Sequence, residues 1–109
     1  MVNTITAVRP TVQFESFDLK TCEHHLLQRH KTRKLCKKQA KKFYTRLKNG
    51  EWMPCFAKLH FLENGQLLNG QHLLHAAISY LREGHEEQVE FLVIKNAPLE
   101  SLKYMDIYA

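Results

Sequence analysis

Ten of the twenty residues from Arg29 to Lys48 are lysine or arginine, and none is aspartate or glutamate. Exposed helices ordinarily mix the signs of charge, because like charges four residues apart, such as Lys38 and Lys42, cost about 0.2–0.5 kcal/mol per pair. Phosphate backbones favour such clusters, since binding releases counterions. The run therefore predicts contact with nucleic acid or an acidic protein, and the alternative is a face that only confers solubility. Its basic residues are Arg29, Lys31, Arg33, Lys34, Lys37, Lys38, Lys41, Lys42, Arg46 and Lys48.

A second candidate site is the tetrapeptide Asn69-Gly70-Gln71-His72, which lies between a turn signal at Asn64-Gly65 and an apolar helical pattern. Asn-Gly is a strong hairpin signal because both residues tolerate positive φ. The predicted order is therefore strand, turn, short strand, glycine loop and helix. A glycine loop before a helix presents N–H groups and the positive end of the helix dipole, which suit phosphate. The plainer alternative is a connection in which Gly70 supplies an unusual φ and Asn69 caps the helix.

The order strand, G-x-L-x-x-G-Q-H-x-L-x-A, helix, strand resembles the ParB/sulfiredoxin-like superfamily, especially its small phage and plasmid members. Thr32–Leu35 and Gly50–Trp52 resemble two further segments of that group at similar spacing, so the similarity covers roughly residues 30–106. It implies a small α+β domain with a mixed sheet and packed helices. The matching positions around the loop are Gly65, Leu67, Leu68, Gly70, Gln71, His72, Leu74 and Ala76.

Three loop positions depart from that superfamily. Asn69 replaces a common aspartate, and Leu73 replaces an arginine that, by resemblance, helps to hold a nucleotide phosphate. The catalytic cysteine of sulfiredoxins is replaced by Gln71, which excludes sulfiredoxin chemistry. The polar groups left for a nucleotide with magnesium are the loop N–H groups and side chains, with Arg33 reaching across. We therefore expect this chain to bind a partner rather than to catalyse a reaction, and we predict no catalytic residue. We also predict no cofactor, and the alternative is a nucleotide with magnesium.

Metal and nucleophile chemistry have weaker support. His72 and His75 share a helix face, but no third ligand lies at a recognised spacing, so we predict no metal site. The serines lack a G-x-S-x-G context. Cys22, Cys36 and Cys55 form neither a disulfide framework nor a C-x-x-C pair, which favours a reduced, cytoplasmic setting.

Length and composition favour one globular domain over residues 1–109, with residues 1–10 as a flexible arm or an edge strand. The chain is 44% apolar and 25% charged, and it has no run of about 18 apolar residues and no secretory signal pattern. Residues 1–50 carry twelve Lys and Arg against three acidic residues, whereas residues 51–109 carry four against eight. The net charge of +5 is therefore unevenly distributed, with a positive N-terminal half and a negative C-terminal half.

Hydrophobic periodicity predicts a helix from Arg33 to Lys48, with Thr32 as N-cap and Gly50 ending it. Its buried stripe would be Cys36, Ala40, Phe43, Tyr44 and Leu47. Other helices are predicted at about 18–29, 71–82 and 99–104, and strands at about 11–14, 56–61, 66–68 and 88–94, the last one central. This irregular alternation predicts an α+β fold.

Three functions from different classes fit these features. The first is a non-catalytic binding protein, from a phage or other mobile element, that uses the basic helix on nucleic acid. The second is an inhibitor or regulator of a host protein complex that handles nucleic acid, as in an anti-defence role. The third is a nucleotide-binding phosphohydrolase or nuclease of ParB-like type. The missing arginine at Leu73 favours binding over catalysis.

Overall fold

The computed structural model describes residues 9–29 and 34–100. These residues form a four-stranded mixed sheet and three α-helices, which confirms an α+β fold class. In chain order the elements are β1 (Thr11–Phe17), α1 (Leu19–Leu27), α2 (Lys37–Lys48), a 3-10 turn (Pro54–Phe56), β2 (Lys58–Leu62), β3 (Leu67–Asn69), α3 (Gln71–Arg82) and β4 (Val89–Ala97).

The sheet has the order β1-β4-β2-β3. β4 is antiparallel to β1 and parallel to β2, so the prediction of a central last strand is confirmed. Alternate residues of β4, namely Val89, Phe91 and Val93, are buried and form a single core with apolar residues of the helices. The period of two along the strand thus selects the face on which the helices pack.

The β2–β3 hairpin predicted from Asn64-Gly65 is present, but its loop has four residues, Glu63 to Gln66. The Gly65 N–H donates to the Leu62 carbonyl at 2.9 Å, and the Asn64 side-chain oxygen accepts from the Gln66 N–H at 3.0 Å. Only Gly65 has a left-handed φ, of +90°, whereas Asn64 does not. This is a tight turn closed by one left-handed glycine rather than a two-residue turn.

The basic helix begins later than predicted. Lys34 to Cys36 are not helical, and the N-cap is Cys36, with an extended backbone at φ −98° and ψ 110°. The prediction of Thr32 as N-cap was therefore wrong, because a tertiary hydrogen bond holds the Cys36 N–H outside the helix. Cys36 is also exposed rather than part of the buried stripe, which consists of buried Ala40 and Leu47 flanked by half-buried Phe43 and Tyr44.

Helix α1 is shorter than predicted at its C-terminal end. Its N-cap is Asp18, whose carboxylate accepts the Thr21 N–H at 2.8 Å. The helix ends at Leu27, because Arg29 forms an isolated parallel bridge with Leu67, the first residue of β3. Most of the helix predicted at 99–104 and of the arm predicted at 1–10 lies outside the described residues.

Candidate nucleic-acid interface

The outward half of α2 is covered by basic side chains. Ala40 and Leu47 face the core, so residues half a turn away from them face solvent. Lys38 and Lys42 lie at the centre of that outward face, one helical turn apart. All the predicted basic residues of this region that the structure describes, apart from Arg29, are exposed: Lys34, Lys37, Lys38, Lys41, Lys42, Arg46 and Lys48.

These cations have almost no carboxylate neighbours. Within residues 9–29 and 34–100, the one ion pair to α2 joins Lys48 Nζ to Glu83 Oε1 at 3.8 Å. Glu83 also accepts a hydrogen bond from the Tyr44 hydroxyl, which raises the pKa of that tyrosine. The remaining α2 cations have no ion pair in the described part of the chain, so no carboxylate there offsets the charge of the outward face.

Arg29 belongs to a different environment from the other basic residues. It is half-buried, and its Nη1 donates to the Leu26 carbonyl at 3.1 Å, at the C-terminal end of α1. Its buried Nε has no hydrogen-bond partner among the described residues. Arg29 therefore lies beside β3 and α1 rather than on α2. Two further predicted cations, Lys31 and Arg33, lie outside the described residues.

Gly70 is required for packing at the start of α3. Its φ is +117°, and a Cβ atom there would lie 2.5 Å from Leu59 Cδ2 and 3.2 Å from the Lys58 carbonyl oxygen. Gly70 is itself the N-cap of α3, whereas Asn69 is the last residue of β3 and pairs with His60. The N-cap of α3 is therefore Gly70, and the alternative in which Asn69 caps the helix was wrong. The close approach to β2 selects glycine at this N-cap position.

The predicted anion loop and the basic helix meet in the structure. The Cys36 N–H donates to His72 Nε2 at 2.8 Å, and Gln71 Nε2 donates to the Lys34 carbonyl at 3.5 Å. A ring nitrogen accepts through its lone pair, so Nε2 of His72 is the acceptor in this contact. The loop side chains therefore contact the segment that leads into α2.

Helices α2 and α3 lie side by side and run in the same direction. Cys36 contacts His72 at their N-terminal ends, and Tyr44 and Lys48 contact Glu83 towards their C-terminal ends. The positive ends of both helix dipoles thus lie together, next to Lys34 and the first turn of α2. This arrangement adds to the positive potential of the basic face.

A groove of about 400 Å³ separates the two helices. Its floor contains buried Ala40 and Ala76, and its α2 wall carries Lys37 and Lys41. Its α3 wall carries His75 and Ser79, and Tyr44 and Glu83 also line it. This groove was not predicted from the sequence, although the small residues at matching positions of two neighbouring helices were the available signal.

Leu73 is buried in the core. The position at which the resemblance implied a phosphate-binding arginine is therefore part of the apolar core. Among the described residues, no three His, Cys, Asp or Glu side chains are placed to share a metal ion. The same part of the chain has no helix of the length and apolarity that a membrane span requires.

Comparisons of the chain with models of known families, with curated proteins and with solved structures gave no match.

Proposed function

We propose that this chain is a non-catalytic binding protein that contacts the phosphate backbone of nucleic acid through the outward face of α2. The supporting observation is the set of exposed cations on α2 that have no carboxylate partner among the described residues. Such a face repels itself in the free protein, and an array of phosphates removes that repulsion.

Backbone contact fits this surface better than base reading. The residues at the centre of the face are lysines, whose ammonium group is a flexible point charge. Lysine lacks the planar guanidinium group with which arginine recognises guanine edges. Binding should therefore depend little on sequence and steeply on salt. Each duplex phosphate neutralised contributes about 0.9 to the slope of log K against log salt concentration.

A binding role is favoured over a phosphohydrolase role. The side chains of Gln71 and His72 form hydrogen bonds with residues 34–36, and Leu73 lies in the core. We also propose that the chain is a member of the ParB/sulfiredoxin-like superfamily and that it comes from a phage or plasmid. The supporting observation is that the hairpin, the glycine cap and α3 follow one another in the predicted order. A cytoplasmic setting is also proposed, supported by three free cysteines.

Fluorescence anisotropy with labelled duplex DNA, single-stranded DNA and RNA over a salt series tests the proposal. The expected result is binding that weakens linearly on a log–log plot, with a slope of several units. Absence of binding to all three polymers at low salt would contradict it. Titration with CTP, ATP, ADP and GTP plus magnesium tests the enzyme alternative, which requires binding that Gly70→Ala abolishes without unfolding the protein.

The groove between α2 and α3 supports a second candidate function, the binding of an acidic segment of a host protein that handles nucleic acid. An apolar floor with Lys37 and Lys41 along one wall suits an amphipathic helix with acidic residues at one edge. Charge reversal at Lys37 and Lys41, which line the groove, would then weaken binding more than reversal at Lys38 and Lys42.

A further inference from the structure

Two large apolar side chains are exposed beside the basic helix. The side chain of Phe56 is 76% exposed and that of Met53 is 56% exposed. Both belong to the 3-10 turn region, where the Phe56 N–H donates to the Met53 carbonyl at 2.9 Å and the Ala57 N–H to the Pro54 carbonyl at 3.0 Å. The proline ring fixes φ at the start of this turn. The phenyl ring of Phe56 is therefore presented to solvent from a hydrogen-bonded support.

The exposed ring is continuous with the basic face of α2. Phe56, Met53 and Arg46 line one shallow depression of about 40 Å³, together with half-buried Trp52 and Phe43. The Trp52 indole N–H donates to the Glu90 carbonyl at 2.8 Å, and its ring packs edge-on against Phe91 at 5.7 Å. The indole thus anchors the depression to the sheet. Glu51 is the one acidic residue among the described residues that line it.

We propose that Phe56 stacks on an unpaired base, so that the nucleic acid bound by this protein is single-stranded at this point. This inference rests on the proposed function. A positively charged surface that follows the backbone, next to an exposed aromatic ring, is the usual arrangement of single-strand binding sites. A base of an intact duplex is stacked on its neighbours and cannot offer its face to Phe56.

Charge continuity favours a nucleic acid over a protein at this surface. Arg46 lies between the exposed ring and the outward lysines Lys38 and Lys42, so one strand that crosses α2 meets cations before it reaches the ring. The depression, of about 40 Å³, is far smaller than an ordinary ligand pocket, so the exposed ring rather than a cavity is the contact surface here. Stacking needs only the open face of the ring, which is what the structure presents.

The test compares Phe56→Leu with Phe14→Leu, since Phe14 is a second exposed phenylalanine, 54% exposed, on β1. Each is titrated with a thymidine oligomer and with an abasic oligomer of equal length. Phe56→Leu should weaken thymidine binding about 5- to 100-fold and leave abasic binding unchanged. Phe14→Leu should match the wild type with both. Fluorescence of the single tryptophan, Trp52, should be quenched by the thymidine oligomer more than by the abasic one.

Three outcomes would overturn the inference, and they have different meanings. Equal thymidine affinity of Phe56→Leu and wild type, with binding still lost in K38E/K42E, removes the stacking role and leaves the proposed function standing. Absence of wild-type binding to both oligomers removes the stacking role, and it removes the proposed function as well when duplex DNA and RNA also fail to bind. Binding of an acidic peptide that Phe56→Leu abolishes, without any effect on the thymidine oligomer, assigns the ring to a protein partner.

Discussion

The Cys36 backbone N–H donates to the Nε2 atom of His72 at 2.8 Å, across 36 residues of sequence. This hydrogen bond joins the starts of the basic helix α2 and of α3. It explains why α2 begins at Lys37 rather than at Arg33, and why the two positive helix ends lie together. The glycine loop thus organises the basic surface rather than standing apart from it.

Replacement of His72 by alanine should lower the free energy of unfolding by about 0.5–1.5 kcal/mol, because the exposed Cys36 N–H loses its protein acceptor and bonds to water instead. Urea denaturation followed by circular dichroism measures the change. His72→Gln should recover part of the loss, since its amide oxygen can accept the same hydrogen bond. His85→Ala, at an exposed position, serves as the control and should stay within about 0.5 kcal/mol of wild type. Equal stability of His72→Ala and His85→Ala would contradict the role of this bond.

Gly70→Ala should destabilise the protein more than Gly65→Ala does. Both positions have a left-handed φ, of +117° and +90°, so alanine is strained at each by about 1–2 kcal/mol. Only at Gly70 does the new Cβ also meet Leu59 and the backbone of Lys58, whereas at Gly65 no atom lies within 4 Å. Thermal unfolding of the two variants isolates this clash, and equal melting temperatures would show that α3 starts farther from β2.

Stability should fall as pH decreases from 7 to 5. Burial lowers the pKa of His25 and of His60, so between the folded and unfolded values the unfolded chain binds more protons. The free energy of unfolding is therefore greatest above the unfolded histidine pKa and decreases as pH falls below it. Urea denaturation at several pH values measures this slope. A double variant with His25→Phe and His60→Leu should flatten it, and an unchanged slope would assign the effect to other groups.

The three cysteines should differ sharply in reactivity. Cys22 is fully buried in the core, and burial raises the pKa of its thiol to about 12, so it stays protonated and inaccessible. Cys36 and Cys55 are exposed and free. A colorimetric thiol reagent at pH 8 should therefore titrate two thiols rapidly in the native protein and three in denaturant. Rapid modification of all three would contradict the packing of α1 on the core.

Local sequence signals predicted much of this fold. The apolar spacing gave the bounds of α3, Asn64-Gly65 indicated the hairpin, and the apolar run from Phe91 to Ile94 indicated that β4 is central. The misplaced start of α2 came from a contact with His72, which no local pattern contains. The exposed ring of Phe56 was also missed. Phe56 was predicted to begin the strand at 56–61, which was wrong: β2 begins at Lys58, and Phe56 lies in the 3-10 turn, where it is exposed.

The most direct test of the basic face of α2 compares two charge reversals of equal size. K38E/K42E changes the centre of that face, and K20E/K58E changes exposed lysines on α1 and β2. Dissociation constants for single-stranded DNA are measured by anisotropy over a salt series. We predict that K38E/K42E loses at least about tenfold in affinity and that its salt slope falls by one to two units, while K20E/K58E keeps both near wild type. Equal losses in the two variants would contradict the assignment of binding to α2.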